Sequence, residues 1–152
     1  MANTQAMCSS FLGELMTATH NFTTGTGNTF KAALYLASAT VNASTTAYSS
    51  SNEVTGTNYS PGGVTVTNGT SPLSSNTSTT AGVGYWTPSA SITYTNVTLT
   101  TAFDAVLIYN SSASNKAVSV HTFGSQTVTA GTFTLTMPSN TTSTALLRLA
   151  TT

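Results

Sequence analysis

The sequence predicts an all-β domain, a jelly-roll-like sandwich of about eight strands, with a short N-terminal arm or helix. Three observations carry this. The 152-residue chain holds 35 Thr and 21 Ser, and only 4% of its residues are charged, against about 25% in an ordinary soluble domain. Thr and Val favour the pleated, half-buried setting of a strand. Apolar residues still make up 39%, and they fall in short runs and alternations punctuated by Gly, Pro, Asn and Ser. Disordered chains are charge-rich and poor in β-branched residues, the reverse of this composition. The length is most simply that of one domain.

Residues 1–29 are read as an N-terminal arm or short helix with its linker, and residues 30–152 as the sandwich. In "AMCSSFLGELMTATH", Phe11, Leu12, Leu15 and Met16 recur at helical spacing. That predicts about two turns of amphipathic helix with Ser9 or Ser10 as N-cap. Gly13 and the short length weigh against a helix stable by itself, and an extended arm lying on a neighbour is the alternative. "NFTTGTGNTF" (21–30) is turn-rich. "FKAALYLA" (30–37) reads as a strand with one face fully buried. "TTAYSSSNEVTGTNYSPGG" (45–63) is an excursion loop closed by a turn at Pro61–Gly62, and "GVTVTN" (63–68) alternates as a strand.

"GTSPLSSNTSTTAG" (69–82) is a low-complexity surface loop, and "VGYWTPS" (83–89) a strand ended by Pro88. In "SITYTNVTLT" (91–100) the apolar parity shifts between Tyr94 and Val97. This predicts a β-bulge near Asn96 or two short strands. "AFDAVLIYN" is apolar on both faces in its middle, so it is expected to be covered on both sides. "SSASN" (111–115) makes a hairpin loop and "KAVSVHTFG" (116–124) returns. "QTVTAGTFTLTMP" (126–138) gives a further pair or a bent strand, and "STALLRLA" (143–150) closes the domain.

The chemistry is defined mostly by what is missing. Net charge is zero and basic residues do not cluster, so nucleic acid has no electrostatic footprint. No apolar run approaches the ~20 residues that span a bilayer. The N-terminus lacks the basic and apolar regions of a signal peptide, which predicts a chain made in a cytoplasm. Cys8 is the one cysteine, so no internal disulfide forms; it reads as a small half-buried residue rather than a catalytic thiol. His20 is expected to be solvated beside the linker, and His121 packed or at the surface of a strand. The three carboxylates, Glu14, Glu53 and Asp104, lack metal-ligand spacing. Glu53 and Asp104 could pair as a glycosidase acid and base, but a structural role is the simpler reading. Neither an enzyme nor a cofactor is expected. The eight Asn-x-Ser/Thr triplets follow from composition. Tyr85–Trp86 could serve core packing, a subunit contact or sugar stacking. A surface this poor in charge suits a component covered within an assembly.

Three segments taken together, "FKAALYLASATVNASTTAYSSSNEVTGTNYSPGGVTVT", "FDAVLIYNSSASNKAVSVHTFG" and "GTFTLTMPSNTTSTALLRLA", resemble a family of small structural proteins of tailed bacteriophages. The resemblance covers roughly residues 30–150. Its most specific pieces are the "NEVTG-x-x-Y-x-x-GG" loop and "A-x-LIYN-x-x-x-SNKAV"; residues 1–20 lie outside it. It implies a virion role, most closely that of capsid cement (decoration) proteins. Such a protein is made in the host bacterial cytoplasm, binds the capsid exterior across joints between major capsid subunits, and is expected to be a homo-oligomer, dimer or trimer. It binds neither nucleic acid nor membrane. The contacts are expected at Cys8, Phe11, Leu12, Leu15 and Met16, in the loop from Glu53 to Tyr59, and at Tyr85 and Trp86. The alternative is a tail- or fibre-associated protein that binds the host surface, with sugar stacked on Tyr85–Trp86.

Overall fold

The structure, a computed structural model, describes residues 2–75 and 82–151. Nine elements follow in chain order: β1 (Ala6–Met7), α1 (Ser9–Met16), β2 (Phe30–Leu36), β3 (Val64–Thr65), β4 (Leu73–Ser74), β5 (Val83–Trp86), β6 (Ile92–Asn110), β7 (Lys116–Leu135) and β8 (Leu147–Ala150). They form two antiparallel sheets, ordered β1-β7-β6-β2-β3 and β4-β5-β8. The chain is therefore all-β, as expected, with one short helix, and its two sheets are consistent with a sandwich. A jelly-roll connectivity does not follow from this strand order.

The frame is the β6–β7 hairpin, with strands of 19 and 20 residues. The sequence divides this region into four strands. The structure merges them: pairing runs across both joins through Leu99↔Val128, Phe103↔Gln126 and Ala105↔Thr122, with shifts of register between these pairs rather than strand ends. Tyr94 pairs with Phe133 and Val97 with Gly131, leaving an extra residue on β6. Asn96 takes it up at φ 52°, where the parity shift predicts a bulge. On β7 the extra residue lies between Val128 and Gly131, with Ala130 at φ 45°. Next to the turn, β2 pairs along β6 from Phe30↔Asn110 to Leu36↔Phe103. Residues 105–110 are all buried, so this strand is covered on both faces as its composition requires.

The N-terminal segment is a helix rather than an extended arm. An eight-residue helix cannot hold itself in water. Its stability comes from burying Cys8 and Phe11 in the common core and from main-chain bonds of Cys8 N to Val118 O (3.0 Å) and Ser9 N to Ala43 O (2.8 Å). Cys8, not Ser9 or Ser10, is the N-cap, and no side chain caps the helix. Residues 2–29 are thus built into the fold: β1 pairs with β7, and Phe22 joins the same core. Phe22 also links the sheets. It stacks on Phe30 of β2 at 4.2 Å and meets Trp86 of β5 at 4.8 Å and Phe11 of α1 at 6.0 Å.

The loop over residues 45–63 turns back through Gly62 (φ 87°) and Gly63 (φ 71°). A Cβ on Gly63 would lie 1.7 Å from the Ala32 carbonyl oxygen, so only glycine lets the chain pass there. Of the expected loop 69–82, residues 76–81 lie outside the described residues, and Leu73–Ser74 pair with β5.

Candidate functional site

An apolar groove of about 130 Å³ runs between α1 and the β4-β5-β8 sheet. Phe11 and Leu15 enter it from successive turns of α1. Gly84 and Trp86 alternate along β5, and their cross-strand partners Leu149 and Leu147 share their face. Phe22, Pro72 and Tyr85 complete the lining. None of these nine residues is ionisable near neutral pH. Two elements that line the groove, α1 and β8, also carry exposed apolar side chains. The large apolar side chains exposed among the described residues are Leu12 (46%) and Met16 (86%) on α1, Leu73 (48%) on β4 and Leu149 (42%) on β8. A single exposed Leu is ordinary; Leu149 in the lining of the groove, with Leu12 and Met16 on the helix that borders it, marks a candidate contact surface.

The groove unites two patches that are distant in sequence. Phe11, Leu15, Tyr85 and Trp86 meet there, while Leu12 and Met16 stay exposed on α1. Cys8 is fully buried. Burial, and then the Glu14 charge, push its thiol up to about 11, so it is inert. Trp86 is also buried, its Nε1–H donating to Asn68 Oδ1 (3.1 Å) and the Thr70 carbonyl (2.9 Å). The indole is a wall of the groove and offers no open face for sugar stacking.

Glu53 and Tyr59 are buried together, away from solvent. Glu53 Oε2 accepts from the Tyr48 hydroxyl (2.7 Å); Oε1 accepts from the Tyr59 hydroxyl (2.7 Å) and the Gly62 N–H (2.8 Å). The Tyr59 oxygen in turn accepts from Leu34 N–H (2.9 Å), and the Tyr109 hydroxyl donates to the Gly62 carbonyl (2.9 Å). Burial, and beyond it the negative charge of Glu53, raise the phenols of Tyr35, Tyr48, Tyr59, Tyr94 and Tyr109, Tyr35 to about 12. Asp104 accepts from Asn3 Nδ2 at 2.6 Å. Both carboxylates of the conceivable acid–base pair are thus engaged in separate structural contacts.

A second polar node escapes sequence reasoning. His20, expected to be solvated, has no exposed side-chain surface and lies 2.8 Å from Glu14 Oε2 through Nε2. Lys116 donates to Glu14 Oε1. Asn110 Nδ2 lies 3.1 Å from His20 Nδ1 and donates to Asn28 Oδ1 (2.9 Å). Since an amide NH₂ only donates, Nδ1 is the acceptor and Nε2–H faces Glu14. Burial pushes the Glu14 carboxyl up, but hydrogen bonds and charge from Lys116 and His20 outweigh it, and its pKa ends below the ordinary value. Lys116 and Asn110 stand 102 and 90 positions from Glu14 and His20, so no local pattern could reveal those contacts, although Glu14 and His20 are only six apart. On β7, His121 lies 2.9 Å from Ser119 Oγ, and burial lowers its pKa to about 4. Ser119 is itself buried, which closes its hydroxyl to a substrate.

Among the described residues, no group of three or more His, Cys, Asp or Glu could hold a metal ion, and no helix is long and apolar enough to cross a membrane. No protein-family model, no curated protein and no solved structure matches this chain.

Proposed function

We propose that this chain is a capsid cement (decoration) protein of a tailed bacteriophage. It binds the exterior of the mature shell across joints between major capsid subunits and holds them together. The observation that carries this reading is the groove between α1 and the small sheet: its lining is apolar and includes the exposed Leu149, and α1, which lends it Phe11 and Leu15, also carries the exposed Leu12 and Met16, on a chain with six charged residues. The contact residues are Leu12, Leu15, Met16, Tyr85 and Leu149. Cys8, Phe11, Glu53, Tyr59 and Trp86 act from beneath by fixing the shape of that surface.

The mechanism is shared burial. Each copy touches several capsid subunits, so separating them breaks several modest contacts at once. Hydroxyl-rich, uncharged surface supplies hydrogen bonds without desolvating ions. Attachment is therefore only weakly sensitive to salt.

Copy number in purified virions tests the reading. A ratio to the major capsid protein near one, or a simple fraction of it, is expected. A handful of copies per particle would place the protein in the tail instead, and absence from the particle would overturn both assignments.

A further inference from the structure

Asn68 is the one asparagine of the chain that is followed by glycine. Two structural demands put this pair there. Asn68 clips two segments together: its Nδ2 donates to the Phe22 carbonyl (2.9 Å), and its Oδ1 accepts from Trp86 Nε1–H (3.1 Å). A carboxamide supplies both roles at once. At position 69 a Cβ would lie 2.4 Å from Ser89 Oγ and 2.9 Å from Ser89 Cβ, which leaves room for glycine. Ser89 fixes this turn. Gly69 N–H donates to Ser89 Oγ (2.8 Å), and Ser89 N–H and Oγ–H both donate to the Thr67 carbonyl (3.0 and 3.2 Å).

An asparagine before glycine is chemically labile. With no Cβ in the way, the Gly69 nitrogen can close on the Asn68 Cγ. A C–N bond forms, the Gly69 N–H proton is lost, and the side-chain nitrogen leaves as ammonia. The cyclic imide then takes up one water at either carbonyl and opens to Asp or isoAsp. In the folded chain this closure is opposed at both ends. The proton that must leave Gly69 is held by Ser89 Oγ, and the nitrogen that must leave Asn68 is held by the Phe22 carbonyl. The Trp86 N–H acts the other way, since it would stabilise the charge that gathers on Oδ1 during attack. One assisting bond stands against two opposing ones and a turn that Ser89 fixes.

We infer that Asn68–Gly69 is a self-modifying site that the fold locks and that opening of the Ser89 turn releases. The change runs one way. Asp at this position keeps the acceptor for Trp86 but loses the N–H, and it sets a carboxylate oxygen against the Phe22 carbonyl. IsoAsp also lengthens the main chain beside Gly69. Either product loosens the contact of Phe22 with Trp86 (4.8 Å), two rings that line the groove. A chain that has opened is thereby marked and made less able to close. This stands whether or not the groove is a docking surface.

The test incubates the full chain at neutral pH and one temperature, folded in buffer and unfolded in guanidinium. Peptide mapping follows Asp and isoAsp at position 68. Conversion through an opened state scales with the opened fraction, so the folded chain should convert at least about tenfold more slowly. Ser89→Ala, at an exposed position, should fold and should convert faster than the unaltered folded chain. Asn68→Asp should have a lower melting midpoint. Equal conversion in both states, no conversion in guanidinium, a folded Ser89→Ala chain that converts no faster, or an Asn68→Asp chain that melts like the unaltered one would each overturn the inference. Any of these alongside high copy number in virions would leave the cement assignment standing.

Discussion

Glu14, Glu53 and Asp104 each fasten a segment outside the long strands. Glu14 ties α1 to Lys116 at the start of β7, Asp104 of β6 holds Asn3, and Glu53 closes the 45–63 loop on itself and, through Tyr59, on β2. Removing such a carboxylate strands its donors. Glu53→Ala should cost about 1–3 kcal/mol in denaturant unfolding for each buried donor it leaves unpaired, and Glu53→Gln, which keeps an acceptor, clearly less. The pH dependence has two stages. His121 titrates near 4 in the folded chain against an ordinary 6.5, so the unfolded chain binds more protons in between. Stability should be full above about 6.5 and fall as pH drops towards 4. The Glu14 pKa is lowered, so its contribution is present above the ordinary carboxylate range and is lost as pH falls through its folded value. Denaturation midpoints measured from neutral pH downward should show both stages, and His121→Leu should remove the upper one. The Glu14–Lys116 and Asp104–Asn3 partnerships are not legible in sequence, because each joins positions whose proximity only the tertiary fold creates; Glu53 and Tyr59 lie in one loop, but nothing in its pattern tells that the carboxylate is buried against the phenol.

Among the elements, legibility tracks apolar phase. The bulge at Asn96 could be read because Tyr94 and Val97 sit on a strand with a buried face, where a shift in parity shows. Its counterpart at Ala130 could not, since "TVTAG" alternates hydroxyl and small residues on a largely exposed stretch. β1 and β4, of two residues each, are too short to carry a period. The spacing of α1 was legible, but its attachment was not: what looks like a detachable arm contributes Cys8 and Phe11 to the core. Phe11→Ala should therefore cost about 3–5 kcal/mol. Deleting residues 1–20 should lower the melting midpoint of the whole domain or abolish folding, rather than leave an intact sandwich. A truncated chain that melts like the full one would contradict this placement.

At the scale of the molecule, the groove between α1 and the small sheet joins side chains from both ends of the chain, Phe11 and Leu15 with Tyr85, Trp86 and Leu149. Tyr85–Trp86 and the N-terminal leucines stand out in sequence as separate candidates. Their convergence, and the part played by Leu149, depends on the tertiary fold, in which Phe22 bridges Phe11 of α1 and Trp86 of β5. A contact of this kind should hold with little change as salt is raised, since the screening that weakens ion pairs has few ions to act on. Binding to shells at low and high ionic strength checks this, and a steep loss of occupancy with salt would point to a charged contact instead.

The most direct test of the docking account is the occupancy of the Leu149→Asp chain on expanded, undecorated shells, measured beside the unaltered chain. Leu149 is 42% exposed, so folding should be little disturbed while the groove acquires an unpaired charge. The account predicts a folded protein whose occupancy falls at least about tenfold. Full occupancy by the folded variant would contradict it.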